Sequence, residues 1–337
     1  MSLVAGFFLV LLAGLLQGTF VLPMTLVRKW SWDHTWATFS LLGMFIFNWI
    51  ITLLFVPQIF KVYAAAPSRD LTILALFGLG WGLGAVLFGL GMDRLGMALG
   101  YPIIMGLIAS LGALIPLSIF FPESLLARKG LVLLLGTAVV ILGIVLCSIA
   151  GARRSPPQNK SGSGQPNIFS TGLVIAVLAG VLSCLPNVGM AFGKNLIMAA
   201  TALGVSASSA SNTAWALLFT MGCVANLAYC FYRMITRNTL RQYRNEETLR
   251  NLGLSAAMAL MWIGSFYLYG AGASRLGRWG VVAGWPLFIS LSIVTGNLWG
   301  LWRGEWQGAP AVARRQLNLG LLVLIAAVMI VSASNAV

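Results

Sequence analysis

The chain has 337 residues, of which 59% are hydrophobic and only 8% charged. A soluble domain carries about 25% charged residues, so no water-soluble fold could bury this much apolar surface, and the solvent is lipid. The net charge of +14 would suggest nucleic acid in a soluble protein; here the basic residues are spread over short loops, where the positive-inside bias and anionic lipid account for them.

Ten apolar runs are long enough to cross a hydrocarbon core of about 30 Å as helices of about 20 residues. They are 3–26, 35–56, 71–92, 95–121, 130–150, 169–193, 209–232, 251–273, 279–302 and 317–335. Helix is the expected state throughout, because a barrel would show alternation and these runs are apolar on all sides. The run Ser2 to Leu22 lacks a positive flank and is too long for a signal peptide's apolar core, so it reads as a retained span. The turn between spans three and four falls at Asp93-Arg94.

Two loops are long. Ala152 to Asn167 is rich in Pro, Ser and Gly and reads as a linker at the midpoint. Arg233 to Arg250 holds five arginines and two glutamates; a solvated loop is expected there in preference to a surface helix. Loops after the odd-numbered spans hold fourteen Lys and Arg, and loops after the even-numbered spans hold seven. The positive-inside rule then places the first set in the cytoplasm and both termini outside, in the periplasm.

The linker divides ten spans into five and five, and the halves resemble each other. Trp81 to Gly96 (WGLGAVLFGLGMDRLG) matches Trp262 to Gly277 (WIGSFYLYGAGASRLG), and each is followed by a Gly-aromatic-Pro triplet at Gly100-Tyr101-Pro102 and Gly284-Trp285-Pro286. The expected fold is therefore all-α and integral to the membrane: ten transmembrane helices as two inverted five-helix repeats, residues 1–151 and 169–337, joined by a linker at 152–168. Five is odd, so the second copy inserts upside down relative to the first. Such folds hold a substrate near the midplane and alternate its access by rocking of the repeats. Trp81 and Trp262 are expected to enter from opposite sides and meet across a central cavity.

The residues available for chemistry are few. Cys147, Cys184, Cys223 and Cys230 lie in apolar segments without metal-ligand spacing and read as small buried hydrophobes. His34, the single histidine, and Asp33 lie in the polar first loop. No paired carboxylates or clustered bases suggest an enzyme, a metal or a cofactor. Polar residues inside spans are costly and informative, and here they are mostly amides: Gln17, Asn187, Asn212, Asn226 and Asn297. Amides suit a neutral polyol or sugar; helix-to-helix hydrogen bonding is the other explanation. Gln17 shares a face with Phe20. Trp81 and Phe88, like Trp262 and Tyr269, are seven residues apart and share a helix face. With Tyr101 and Trp285 beside the two prolines, these rings either line a cavity, offering flat faces to a sugar, or pack the halves together. The glycines Gly82, Gly84, Gly89, Gly91, Gly270 and Gly272 permit close packing, and also sliding. Asp93, at the end of span three beside Arg94, is the best-placed group for proton coupling; a surface ion pair is its other explanation.

The motifs together are similar to a known family. They are Leu22-Pro23-Met24, Lys29-Trp30-Ser31-Trp32-Asp33 with Trp36, Trp81-Gly82, FGLG at Phe88–Gly91, LGMALG at Leu95–Gly100, Val181-Leu182-Ser183 with Asn187, WALLF at Trp215–Phe219, GWPLF at Gly284–Phe288 and GEW at Gly304–Trp306. They run through nearly the whole chain and resemble the L-rhamnose–proton symporter family of the drug/metabolite transporter superfamily. The resemblance implies a bacterial inner-membrane carrier with ten helices that takes up a deoxy-hexose with a proton as the coupling ion; the assembly expected is a monomer or a homodimer. Gln17, Asn187, Asn212 and Asn297 would then hydrogen-bond hydroxyls. Phe20, Trp81, Tyr101, Trp262, Tyr269 and Trp285 would shape the cavity, and Asp93 would couple the proton. The alternative within the superfamily is an exporter of metabolites or drugs, separated by whether label accumulates in cells or is extruded from them.

Overall fold

The computed structural model describes residues 3–154, 167–277, 280–302, 304 and 306–333. The described residues contain helices and turns and no strand. The helices are α1 (Leu3–Thr19), α2 (Trp32–Ser40), α3 (Asn48–Phe55), α4 (Ile59–Ala65), α5 (Ser68–Phe120), α6 (Arg128–Arg154), α7 (Asn167–Ser183), α8 (Leu185–Phe192), α9 (Lys194–Ala202), α10 (Asn212–Thr236), α11 (Thr248–Arg275), α12 (Gly280–Trp302) and α13 (Ala311–Ala333). Among the described residues, nine helical stretches are long and apolar enough to cross a membrane, and each coincides with one of the first nine apolar runs. The tenth run is helical as α13.

Three local features depart from the expectation of simple rods. Span two is α-helical at both ends, with a π-helical segment at Leu41–Phe47 between α2 and α3. Span six is broken at Cys184: Pro186, two residues on, has no N–H to donate to the Leu182 carbonyl and its ring crowds that carbonyl, so the span is α7 followed by α8. The turn expected at Asp93-Arg94 does not form: the backbone is helical from Ser68 to Phe120. Asp, Arg and Leu do not break a helix, and neither Gly96 nor Gly100 ends one without a cap.

The structure divides into two compact units, each drawing on both halves of the sequence. One comprises Met1–Leu83 with Leu185–Gly280, the other Gly84–Cys184 with Val281–Val337. In the first unit α1 packs along α11, and α2, the π segment and α3 pack on α10 and α11. The contact of α5 with α10 is close. A Cβ on Gly78 would lie 2.3 Å from the Leu218 carbonyl oxygen, and one on Gly82 would lie 2.7 Å from that of Gly222. This is small-residue packing, which brings helix backbones together where lipid gives no hydrophobic drive. In the second unit α6 packs along α13, with Gly143 against Leu324 and Gly320 against Cys147.

Span ends in contact within the first unit are those an alternating path places on one side. Arg28 meets Asn251, Gln58 meets Leu203, Asp70 accepts a hydrogen bond from Asn195 at 3.0 Å, and Gly6 faces Gly272.

Buried amides hold this unit. Asn48, absent from the polar residues weighed in the sequence, donates from Nδ2 to the carbonyls of Met44 (2.9 Å) and Ala216 (3.1 Å) and accepts from the Tyr267 hydroxyl. Tyr267 also reaches Thr52 Oγ1 at 2.8 Å. Tyr267→Phe would leave an Asn48 oxygen buried and unpaired. The expected cost is about 1–2 kcal/mol, read as a lower melting temperature of purified protein with the transport rate little changed. The four cysteines are free and buried.

Candidate substrate site

The interior of the first unit is a continuous aromatic cluster. On α10, Trp215 and Phe219 are four residues apart and so share a face; on α11, Trp262, Phe266 and Tyr269 do the same. Trp215 stacks on Phe219 at 5.1 Å and 5°. Phe219 lies 4.7 Å from Trp262 and 4.9 Å from Phe266. Trp81 of α5 stacks on Trp262, with centroids 5.7 Å apart and planes at 15°. The duplicated tryptophans therefore meet, but ring on ring and not across a gap. The small residues beneath them explain this: Gly222 leaves the space that Trp81 fills, since a Cβ there would lie 2.5 Å from its ring.

Polar groups reach this cluster from three elements. The Tyr269 hydroxyl donates to Asn187 Oδ1 on α8. Ser265, on α11, donates to Gln17 Oε1 at 2.7 Å. Asn226 on α10 accepts from Trp36 Nε1 at 2.9 Å and donates to the Gly222 carbonyl at 2.9 Å. Two donors stand apart. Ser211 is 3% exposed and Trp215 fully buried, and neither Ser211 Oγ nor Trp215 Nε1 has a hydrogen-bond partner. Both face Gly270, where a Cβ would lie 2.5 Å from Ser211 Oγ and 2.8 Å from Trp215 Nε1. Burying a donor without an acceptor costs about 1–3 kcal/mol, so this pair is placed for an acceptor that arrives with a ligand or a water.

One end of the unit carries a charged network. His34 and Asp33 lie in the first turn of α2, not in a solvated loop, and both are buried. An acid in a first turn suits the helix dipole. Asp33 Oδ1 lies 2.7 Å from Arg233 Nε of α10. His34 Nδ1 is 2.7 Å from Ser31 Oγ, and its Nε2 is 2.9 Å from the Thr239 carbonyl oxygen. The segment from Arg233 to Arg250 is likewise no free loop. α10 continues to Thr236, Leu240–Tyr243 forms a 3-10 turn, and α11 begins at Thr248. Gln242 accepts from the Ser31 backbone N–H at 2.8 Å, Lys29 pairs with Glu246, and Tyr243 packs on His34 at 4.6 Å. The polarity of these residues led the sequence reading to a loop; it serves contacts between two chain segments about 210 residues apart. The Glu246 carboxyl, held by the Lys29 ammonium, sits below its ordinary pKa.

Seven of the ten residues assigned to the sugar from the sequence fall in the first unit: Gln17, Phe20, Trp81, Asn187, Asn212, Trp262 and Tyr269. Trp81 and Trp262 share the aromatic cluster, as does Tyr269, 6.3 Å from Trp215 and bonded to Asn187. Gln17 joins α11 through Ser265, Phe20 packs on Phe39 at 5.6 Å, and Asn212 is buried at the start of α10. Trp285 belongs to the second unit, where its Nε1 donates to the Ile108 carbonyl at 3.0 Å over Gly112. The side chains of Tyr101, Asn297 and Asp93 lie outside the described residues. The sequence reading missed Ser211 and Trp215, although Trp215 and Phe219 bound the WALLF run at helical spacing. It also missed the Asp33–Arg233 pair, which no local spacing could reveal.

The sequence profile of the L-rhamnose-proton symport protein (RhaT) matches residues 1–337, the whole chain. The L-rhamnose-proton symporter of Yersinia pestis (strain Pestoides F) is 29% identical over 321 residues, covering 93% of this chain and 92% of its own. The protein of the same name from Shigella dysenteriae serotype 1 is 29% identical over 338 residues, covering 98% and 97%.

Proposed function

The chain belongs to the L-rhamnose-proton symport family, and on that premise we propose that it imports a neutral sugar, L-rhamnose, together with a proton across a bacterial inner membrane. The relatives named above carry that activity in their names. The observation in this chain that supports a sugar site is the pair of buried, unpartnered donors, Ser211 Oγ and Trp215 Nε1, beside the Asn187–Tyr269 pair and the aromatic cluster. A sugar offers hydroxyl oxygens to such donors and C–H faces to such rings. In this reading Asn187, Asn212, Tyr269, Trp81, Trp262, Gln17 and Phe20 border the sugar path in the first unit. Tyr101, Trp285 and Asn297 are the residues this reading assigns to the sugar within the second unit.

The architecture we propose is ten spans in two inverted repeats, 1–151 and 169–337, with both termini periplasmic and access alternating between the repeats; it requires a reversal between spans three and four in the membrane, where the structure has one continuous helix, Ser68–Phe120. The composition of the units supports it. Each contains spans and their sequence counterparts: α2 packs on α10 and Trp81 on Trp262 in the first, α6 packs on α13 in the second. Counterparts that pack on each other are what a two-fold related pair of repeats produces.

The test is uptake of labelled L-rhamnose by purified protein in liposomes, with and without an imposed pH gradient. Accumulation that follows the gradient is expected; uptake indifferent to its collapse would sink symport while sparing sugar transport. Removing the unpartnered donors tests the site itself. Trp215→Phe and Ser211→Ala are each expected to raise KM for L-rhamnose about tenfold, since a sugar hydroxyl that loses its donor in a buried site costs about 1.4 kcal/mol. Ser211→Ala should leave stability unchanged, because its hydroxyl has no partner to lose; Trp215→Phe also thins the packing of a fully buried indole and is expected to lower the melting temperature, so its KM is read on folded, monodisperse protein.

A further inference from the structure

The chain has one histidine and seven carboxylates, so a proton-coupled cycle has few groups on which to run. Of the carboxylates whose side chains are described, Asp70, Glu123, Glu246 and Glu247 are partly or fully exposed, while Asp33 is 1% exposed. A buried ionisable group within a membrane protein is costly and is held for a function or by a partner. Asp33 has such a partner in Arg233, 2.7 Å away.

The groups around the pair are few and each has its own contact. From α10 Asp33 faces Arg233 and Cys230; on its own helix His34 follows it, with Tyr243 of the 240–243 turn packed on the His34 ring. Lys29 and Arg28 are turned to Glu246 and Glu247, which leaves Arg233, among the described residues, as the cation that meets Asp33. His34 is engaged at both ring nitrogens. A carbonyl oxygen can only accept, so Nε2 donates to Thr239, and Nδ1 is free to accept from the Ser31 hydroxyl. That neutral ring is fully satisfied as it stands. In the same arrangement Arg233 also holds Tyr229: its Nη1 donates to the Tyr229 hydroxyl at 3.2 Å, and its guanidinium lies 5.7 Å from the Tyr229 ring centre. If Asp33 lost its charge, Arg233 would keep a partner. The pair also joins α2 to α10, the ends of spans two and seven, so its making and breaking acts on the contact between two counterpart helices.

We propose that Asp33 is the proton-binding carboxylate of the transport cycle and Arg233 its partner in the deprotonated state. The proposal rests on the reading of this chain as a sugar–proton symporter. A proton entering with the sugar adds to an Asp33 carboxylate oxygen and makes a neutral acid. The attraction to Arg233 is lost, Arg233 keeps its contact with Tyr229, and α2 is released from α10. After the sugar leaves, Arg233 returns to Asp33 and the proton departs to the opposite side. One proton binds, one is released, and the protein ends as it began.

The experiment uses the whole protein in liposomes. Wild type comes first: if it does not accumulate L-rhamnose on an imposed pH gradient, symport itself fails and this inference falls with it. With one proton per sugar, one pH unit sustains about tenfold accumulation. Asp33→Asn is expected to reduce that ratio to about one while exchange of labelled for unlabelled sugar stays within about threefold of wild type. A structural role would damage both assays together. Gradient-driven accumulation retained in Asp33→Asn overturns the proposal, as does uncoupling by Asp93→Asn alone. Loss of exchange along with accumulation in a monodisperse Asp33→Asn protein also overturns it, because the carboxylate would then serve sugar movement itself. Where Asp33→Asn does not fold, Asp33→Glu decides. It is expected to keep coupling and shift the pH of half-maximal uptake, and an unchanged pH profile overturns the assignment.

Discussion

Gly78→Ala is expected to destabilise the protein by about 3 kcal/mol, the upper end of the range for overpacking a helix contact. The added Cβ would sit 2.3 Å from the Leu218 carbonyl oxygen, 2.9 Å from Met221 Cβ and 3.0 Å from the Leu218 carbonyl carbon. Two of these three atoms belong to backbone, which no rotamer change can move, so α5 and α10 must separate. Separation also opens the next turn, where Gly82 lies against Gly222, and withdraws the floor on which Trp81 rests. Gly89→Ala provides the contrast within the same helix, because a Cβ there meets nothing within 4 Å. That change replaces glycine by a better helix former and is expected to be neutral or stabilising by up to about 1 kcal/mol. Melting temperatures of the two purified variants check the pair. Equal losses at both positions would mean that contact distance does not decide the outcome.

Trp262→Ala is the second large effect, with about 3–5 kcal/mol lost and sugar uptake abolished. Trp262 is the hub of the aromatic cluster: it touches Trp81, Phe39, Phe219 and Phe266, with centroid distances from 4.7 to 5.7 Å, and is 3% exposed. Truncation leaves a void among four rings drawn from α2, α5, α10 and α11, and the rigid rings cannot collapse into it. Trp262→Phe separates packing from function. It retains a ring for Phe219 and Phe266 and is expected to restore most of the stability. Uptake of labelled L-rhamnose by that variant then reads whether the indole itself is needed. Full wild-type uptake by a stable Trp262→Phe protein would reduce Trp262 to a packing residue.

Both predictions rest on a distinction that periodicity could not make. Trp81 and Trp262 were marked by the duplication, and their encounter was expected from it; that they stack directly follows from Gly222, whose missing side chain leaves room for the ring. Gly82 and Gly89 look alike in the sequence, yet one lies against the backbone of α10 and the other meets nothing. Asp33 and His34 read as loop residues because polar side chains near a span end usually face water. Their burial depends on Arg233, Thr239 and Tyr243, some 200 residues along the chain.

Solvent, secondary structure and family are legible from the chain alone, and the reason is physical. Lipid cannot hydrogen-bond a backbone, so an apolar run of about 20 residues has one available conformation, and composition is enough to identify it. Within a span, neighbours at three, four and seven positions share a face, which is why the Trp215–Phe219 and Trp262–Tyr269 stripes could be read in one dimension. Which stripe meets which is another matter. In lipid no hydrophobic force drives one apolar face toward another, so pairing follows from close contact of small residues and from single polar groups. Those are short-range, pairwise properties of Gly78 with Leu218, Tyr269 with Asn187 and Asp33 with Arg233. They come into being when the helices assemble, and only the assembled structure reveals them.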